Sequence, residues 1–435
     1  MTDEFDPHLS CSDRKTSKNL PGYISKLINF DSIKNYEIKT PFKSVETNSL
    51  SKETLPLYKK INRELIFDNP KYVWHPQTYN AIHEMNEGYV NNTNRFLNII
   101  GLKPALVNNI SDALSTNSVV FHRNPFAERV TVSSGKKYPP LDLENFETFL
   151  NNLYAYSKGM VLVPDINIAN VPKKGYTVTS DHYLKYIEFF MNVLSSRNNK
   201  PIFVPIQTNL TQKATKEILE FYRSKKYTNV WVNFSGGEVR GRHISGFRSI
   251  LNIMDRQYPK KEYVLLCSHM RKEMSPEIRE DKVPASDMLS QFVGGDIIGG
   301  TREPAKGYSD EFDLEEYIKK LGFSNKIEYE KASLLNKSRI FDPSSYYYYL
   351  PNLYPAKSTT FNKKYIQQNL DFSNAIDNII KYNETEYVKK MFGENKDLKI
   401  YLKNKEMFDD SKDIYNDVVN YKPEKINRAK SLFDF

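Results

Sequence analysis

PIFVPIQTNLTQKATKEILEFYRSKKYTNVWVNFSGG, residues 201–237, holds the unit from which the fold can be read. An apolar run of strand length, PIFVPIQTN (201–209), leads into an amphipathic helical stretch, TQKATKEILEFYRSKK. A second apolar run, NVWVNFSGG (229–237), follows. Both runs are continuous rather than alternating, which is the pattern of parallel strands covered on both faces, with helices as the cover. The same unit recurs on either side. Upstream, GMVLVPDIN (159–167) precedes SDHYLKYIEFFMNVLSSRNN (180–199). There Ser180 or Asp181 is the expected N-cap, and Leu184, Ile187, Phe190 and Leu194 share one face. Downstream come a helix through SGFRSILNIMDRQY, the strand EYVLLCSH (262–269), a helical SDMLSQFV and the strand DIIGG (296–300). A helix over TYNAIHEMNEGYVNNTNRFLNIIG and a first strand at PALVNN (104–109) open the series.

Alternating strands and helices imply an α/β class with a parallel sheet. A barrel and a doubly wound sheet would each bring the strand ends to one rim, where ligands bind in such folds. Five or more βα units without a Gly-rich dinucleotide fingerprint favour a (β/α)8 TIM-type barrel. SVETNSLSKETLP (44–56) reads as a linker within a polar N-terminal segment, 1–70; the barrel is expected over 71–305. A helical, Tyr- and Lys-rich C-terminal extension is expected over 306–435, with helices around DLEEYIKKLG, KKYIQQNLDFSNAIDNIIKYN and TEYVKKMFG.

The bulk numbers bound the class. The chain has 435 residues, 39% hydrophobic, 26% charged and 13% aromatic, as in an ordinary globular protein. It has no apolar run of about 18 residues, so no membrane span is expected. Its start, MTDEFDPHLSCSDRK, lacks the apolar core of a signal peptide. Two cysteines, Cys11 and Cys267, exclude a disulfide framework and any four-cysteine zinc site, and they fit a reducing, cytoplasmic compartment. A formal net charge of +9 with many Tyr and Phe suits a polyanionic partner; an AT-rich coding sequence accounts for the same composition equally well.

Several strand ends carry residues suited to a ligand. Gln207 can donate and accept through one amide, which fits the edge of a purine-like base; a glutamine bonded to loop backbone is the alternative. Asp165 can accept ring N–H protons or act as a general acid or base, or it can cap a turn. Gly236 and Gly237 remove the Cβ obstacle to a planar ligand, or make a tight turn, and Arg240 and Arg242 follow them. Cys267 and His269 form a Cys-x-His pair without the further ligands that zinc needs, so no metal is expected. SSYYYYLPNLYP (344–355) offers rings that can stack on bases, though a core or interface cluster explains it better. VGGDIIGGTREP (293–304) poses the sharpest question: Asp296 is either a reactive carboxylate or the residue of a Gly-x-Asp strand entry, which would put Gly299 or Gly300 at the rim.

Over roughly residues 95–305 these segments together resemble the tRNA-guanine transglycosylase superfamily, which includes DNA-modifying relatives that insert 7-deazaguanines. FLNIIGLKPALVNN is similar to the family's first active-site strand, GMVLVPDIN to the segment with a base-reading aspartate, and PIFVPIQTN to the strand with a base-reading glutamine. NVWVNFSGGEV resembles the Gly-Gly segment, KKEYVLLCSHM the next strand, and ASDMLSQFVGGDIIGGTREP the segment with the nucleophile and a Thr-Arg pair. The resemblance implies replacement of guanine by a 7-deazaguanine in tRNA or, slightly favoured, DNA, through a covalent aspartyl-glycosyl intermediate. It assigns Asp296 as nucleophile, Asp112 to proton handling, Asp165, Gln207, Gly236 and Gly237 to the base, and Arg302, Arg240 and Arg242 to the nucleic acid. No cofactor is implied, and assembly into homo- or hetero-oligomers is left open. The family's zinc-binding cysteines are absent, and Asn108, Asn109, Ile110 and Ser111 stand where the family has Asp-Ser-Gly. A non-catalytic, nucleic-acid-binding partner subunit is the competing expectation.

Overall fold

A computed structural model describes residues 8–420 apart from 32–35, 62–64, 74–75, 87–91, 110–112, 128, 131–136, 169–177, 198, 259–261, 274–279, 303–313 and 356–369. It is a mixed α/β structure with parallel sheets curved as a half-barrel and helices packed outside.

The larger parallel sheet has six strands in the order Val161–Leu162, Ile202–Gln207, Asn229–Asn233, Val264–Ser268, Ile297–Ile298 and Phe42–Lys43. Its register is regular: Val204 lies opposite Val230, and Trp231 opposite Leu266. Every residue from Phe203 to Gln207, Asn229 to Asn233 and Val264 to Ser268 is buried. That is what continuous apolar runs require, since each strand meets core on both faces. The helices are punctuated by their caps. Thr211 accepts from the Ala214 amide to start Gln212–Ser224, which buries Ile218, Leu219 and Tyr222. Thr179, not the expected Ser180 or Asp181, caps Ser180–Ser195, and Tyr183 and Met191 join Ile187, Phe190 and Leu194 on its buried face, with Leu184 at the margin.

A second parallel sheet has four strands in the order Asp165–Ile166, Leu114–Phe121, Ile66–Val73 and Val45–Glu46. The two sheets share chain at both ends. Residues 42–43 pair with Ile297–Ile298 while 45–46 pair with Phe67 and Asp68, and Ser44 makes the turn between them. Residues 161–162 pair with Ile202 and Phe203 while 165–166 pair with Val120 and Phe121.

This sheet corrects three expectations. PALVNN forms the short helix Pro104–Asn109 rather than the first strand; LSTNSVVF (114–121) takes the strand position. Part of the supposed linker, Val45–Glu46, is strand, and Ile66–Val73 runs across the expected boundary at residue 70. The polar N-terminal segment is also structured: Leu9–Thr16, Ile24–Phe30 and Tyr36–Lys39 form an antiparallel sheet. It lies against the starting ends of the parallel strands, where Cys11 donates to the Tyr263 carbonyl at 3.8 Å. SDMLSQFV is a 3-10 turn, Asp287–Phe292, rather than a full helix.

The C-terminal extension packs on the same core. The second and third of its three expected helices form one, Leu370–Gly393, whose Tyr382 ring meets Phe42 edge-on at 5.8 Å. Buried Lys381 on it pairs with Asp287 at 3.0 Å and Asp377 at 3.0 Å. The tyrosine run supplies Tyr347–Tyr349, the middle strand of an antiparallel sheet with Lys282–Pro284 and Ile340–Asp342. Tyr346 and Tyr348 are fully buried, and the Tyr348 hydroxyl donates to Asp287 at 2.6 Å, so this cluster is core. Among the described residues no helix is long and apolar enough to cross a membrane.

Candidate functional site

Parallel strands in register bring Gln207, Asn233 and Ser268 to one level at their carboxyl ends. Asp165 joins them from the neighbouring sheet. Its carboxylate accepts from Gln207 Nε2 at 3.1 Å, Asn233 Nδ2 at 2.6 Å and the Tyr183 hydroxyl at 3.0 Å. Gln207 Nε2 also donates to the Ile166 carbonyl at 3.0 Å, which fixes the amide and leaves the buried Oε1 as an acceptor with no partner. Asp165 is fully buried. Burial pushes its carboxyl up to about 6, and the Asn233, Gln207 and Tyr183 hydrogen bonds hold it from rising further. The two residues expected to act together, Asp165 and Gln207, therefore touch.

A second buried carboxylate, absent from the sequence expectations, is Asp68. Its Oδ1 accepts from Ser118 at 2.9 Å, and its Oδ2 from Ser268 at 3.2 Å and the Gly300 amide at 2.6 Å. Ser118 and Ser268 are themselves 3.1 Å apart although they belong to different sheets, so the sheets curl toward each other at this level. Burial raises the Asp68 pKa, opposed by these three donors. Beside it Glu46 accepts from the Thr301 amide at 2.9 Å and its hydroxyl at 2.7 Å. Ser118 precedes by two residues the Val120 that lies opposite Asp165. Asp68 itself lies opposite Thr116, four residues before Val120, and its side chain reaches Ser268 at the strand-end level. His269 closes the layer. Burial holds its imidazole down at about 3, so it is neutral at physiological pH, and the Tyr72 ring meets it edge-on at 4.7 Å.

The glycines of VGGDIIGGTREP explain how Asp68 fits. A Cβ on Gly299 would stand 2.7 Å from Asp68 Oδ2 and 2.7 Å from the Cys267 carbonyl, and one on Gly300 would meet Pro70 at 2.7 Å. The carboxylate of Asp68 fills the space a side chain at 299 would take. Fully buried Lys43 secures the same turn by donating to the Gly299 carbonyl at 2.9 Å.

Asp296 is elsewhere. It lies beside Leu265, near the start of its strand, and accepts from the Leu265 amide at 2.8 Å. Lys26 of the N-terminal antiparallel sheet pairs with it at 2.8 Å, both side chains essentially inaccessible. That is the Gly-x-Asp strand entry, which engages the carboxylate with Lys26 and the Leu265 amide three residues before Gly299. The nucleophile expected at Asp296 is corrected on this ground. Gly236 and Gly237 also differ from expectation. Their amides donate to the carbonyls of His269 and Phe234, both at 2.8 Å, and so are not offered to a base. Gly237 is required for packing, since a Cβ there would sit 2.2 Å from His243 Nε2.

Asp112 lies outside the described residues. Arg240 and Arg242 are exposed and line, with Gly236 and Gly237, an open cavity of about 460 Å³. Arg240 pairs with Glu238 at 2.5 Å. Arg302 is exposed beyond the strand Ile297–Ile298, its amide donating to the Met270 carbonyl at 3.0 Å. Among the described residues no group of three or more His, Cys, Asp or Glu side chains is placed to hold a metal ion.

No protein-family model matches this chain. No curated protein matches it in sequence. Its chemistry has to be argued from the side chains. Two buried carboxylates and an acceptor amide at the strand ends can read a planar hydrogen-bonding ligand and attack an electrophilic carbon beside it.

Proposed function

We propose that the protein is a base-exchanging transglycosylase acting on guanine in a nucleic acid, and that its two parallel sheets are arcs of one closed (β/α)8 barrel. Closure is supported by the strands that the sheets share at Ser44 and at Val163–Pro164. The observation that supports the activity is the hydrogen-bonded set Asp165, Gln207 and Asn233 on adjacent strand ends, with Asp68 bonded to Ser268 on the next strand end. Asp165 and the free Gln207 Oε1 read the donor and acceptor edge of the base. Asp68 replaces Asp296 as the nucleophile, because its carboxylate occupies the space over Gly299.

In this reading an Asp68 oxygen bonds to the anomeric carbon as the glycosidic bond breaks, and guanine leaves with that electron pair and gains a proton. A 7-deazaguanine then gives up its ring N–H proton, bonds to the same carbon and releases Asp68, so the cycle consumes no net proton. Asp112 keeps the proton-handling role. The full burial of Asp68 shields the glycosyl ester from water and requires the rim to part for a flipped or single-stranded nucleotide.

A second reading is favoured by the saturation of Asp68 and Asp165 with protein donors: both carboxylates are a structural polar core, and the protein is a non-catalytic nucleic-acid-binding subunit. Incubation with labelled 7-deazaguanine and either DNA or tRNA separates the two. We expect incorporation by the wild type, with a denaturation-resistant protein–nucleic acid adduct that is lost in Asp68→Asn and kept in Asp296→Asn. Nucleic-acid binding without incorporation on either polymer supports the subunit instead.

A further inference from the structure

We propose that the groove between the helices Gln212–Ser224 and Gly241–Gln257 binds the phosphodiester backbone of a single-stranded nucleic acid and leads it to the strand-end rim at Gly236–Gly237. Three cavities adjoin along it, of about 840, 510 and 460 Å³. They are continuous, because Gln212, Ser245 and Ser249 line both the first and the second, and Asn209 and Arg242 line both the second and the third. The inner end is the cavity over Gly236 and Gly237, beside the level of Gln207 and Asn233.

The groove is basic by construction. Lys213, Lys216 and Arg223 line one wall, and Arg242, Arg248 and Arg256 the other. Among the described residues Glu220 and Glu238 line the cavities, Glu217 pairs with Lys213 at 3.8 Å, and Asp417 accepts from the Gly241 amide at 2.8 Å and, through its carbonyl, from Arg248. The Lys216–Glu220 pair is long, 3.7 Å, and both side chains are more than half exposed, so it neutralises little. From Arg242 to Arg256 the wall runs for about 21 Å at a helical rise of 1.5 Å per residue, room for several phosphates. Ser245, Ser249 and Asn252 add hydroxyl and amide donors suited to phosphate oxygens. Among the described residues no Phe, Tyr or Trp lines it, and His243 at its inner end is buried, so the groove holds the backbone without stacking on bases. An acidic peptide would need apolar anchors, and Leu210 and Ile253 are the only large apolar residues lining it among those described.

This inference shares with the transglycosylase reading the premise of a nucleic-acid substrate, but its test stands apart. Fluorescence anisotropy of the full chain with labelled oligo-dT and oligo-U, across a salt series, compares wild type with the triple variant Lys216→Glu, Arg223→Glu, Arg242→Glu. All three residues are exposed, and circular dichroism checks the fold. A control variant of equal charge change carries Lys326→Glu, Lys331→Glu and Lys337→Glu on the exposed helix Lys326–Lys337. We expect the groove variant to weaken binding at least about tenfold near 0.1 M salt and to flatten the log–log salt slope by about 0.7 per lost phosphate contact. The control should bind as the wild type does. A preference for oligo-dT or oligo-U identifies which polymer supplies the backbone. Equal weakening of both variants, unchanged binding by the groove variant, or poly-glutamate binding as tightly as the oligonucleotides each overturns the proposal. Groove-dependent binding with no base exchange on any polymer leaves the groove standing and removes the transglycosylase. Base exchange with no groove dependence does the reverse.

Discussion

The six-stranded and four-stranded parallel sheets face the same interior and solve its packing differently. In the first, Phe203, Trp231, Val264 and Leu266 fill the centre, and polar residues wait until the strand ends. In the second, polar residues start mid-strand: Asp68 and Asn69 on one strand, and Thr116, Asn117 and Ser118 on the next, are all buried. All but the Thr116 hydroxyl, which is buried without a partner among the described residues, are tolerable because they are hydrogen-bonded. Asn69 Nδ2 donates to Asn117 Oδ1 at 3.0 Å and to the Ile100 carbonyl at 3.1 Å, while Thr47 donates to Asn69 Oδ1 at 2.9 Å. One sheet is built for stability, and the other spends burial on a polar layer beneath the rim. That asymmetry teaches where chemistry has room to occur.

The comparison can be broken most forcefully at the strand entry. Asp296→Asn leaves the Lys26 ammonium buried without its counter-charge, and we expect a loss of about 3–5 kcal/mol in urea-denaturation stability. Activity per folded molecule should be unchanged. A loss of activity with normal stability would return Asp296 to the site and undo the contrast between its two ends.

Acid titration sharpens the contrast next. The Asp165 carboxyl is raised in the folded state, so the folded protein holds a proton there that the unfolded chain has released. The stability associated with this group is fully present below about 4 and is lost as pH rises through about 6. The stability difference between wild type and Asp165→Asn should therefore fall by about 2.4 kcal/mol between pH 4 and pH 7. A flat difference would mean that the rim is wetter than its geometry implies. The smallest effect is expected from Gly299→Ala. Its Cβ presses on Asp68 and the Cys267 carbonyl, both atoms of a packed layer, and overpacking of this kind costs about 1–3 kcal/mol. If Asp68 is the nucleophile, the same methyl should depress base exchange far more than that stability loss would.

How much of this was legible follows from the same asymmetry. The strands at 202–207, 229–233 and 264–268 announce themselves as apolar runs, and their ends delivered Asp165 and Gln207 to one place as their positions implied. IFDNPKYV and LSTNSVVF hide as strands because Asp, Asn, Pro, Thr and Ser interrupt the run, and the partners that satisfy them lie up to 232 residues away, as Gly300 does from Asp68. Asp68 was missed for that reason. The available signal was indirect: two glycines at 299 and 300, with no turn that requires both, imply that something bulky approaches from another strand. Asp296 misled because sequence spacing alone cannot tell a strand's first residue from its last.

The turn at Ser44 ties the first parallel strand to the last, with Lys43 and Gly299 separated by 256 residues of chain. At a synthesis rate of about 5–20 residues per second, the segment around Phe42 waits for roughly 13–50 s before Ile297 and Ile298 exist to receive it. Through that interval an apolar edge stands open to any other chain. The antiparallel sheet of Leu9–Thr16, Ile24–Phe30 and Tyr36–Lys39 can form at once from local contacts and shelters the nascent segment early.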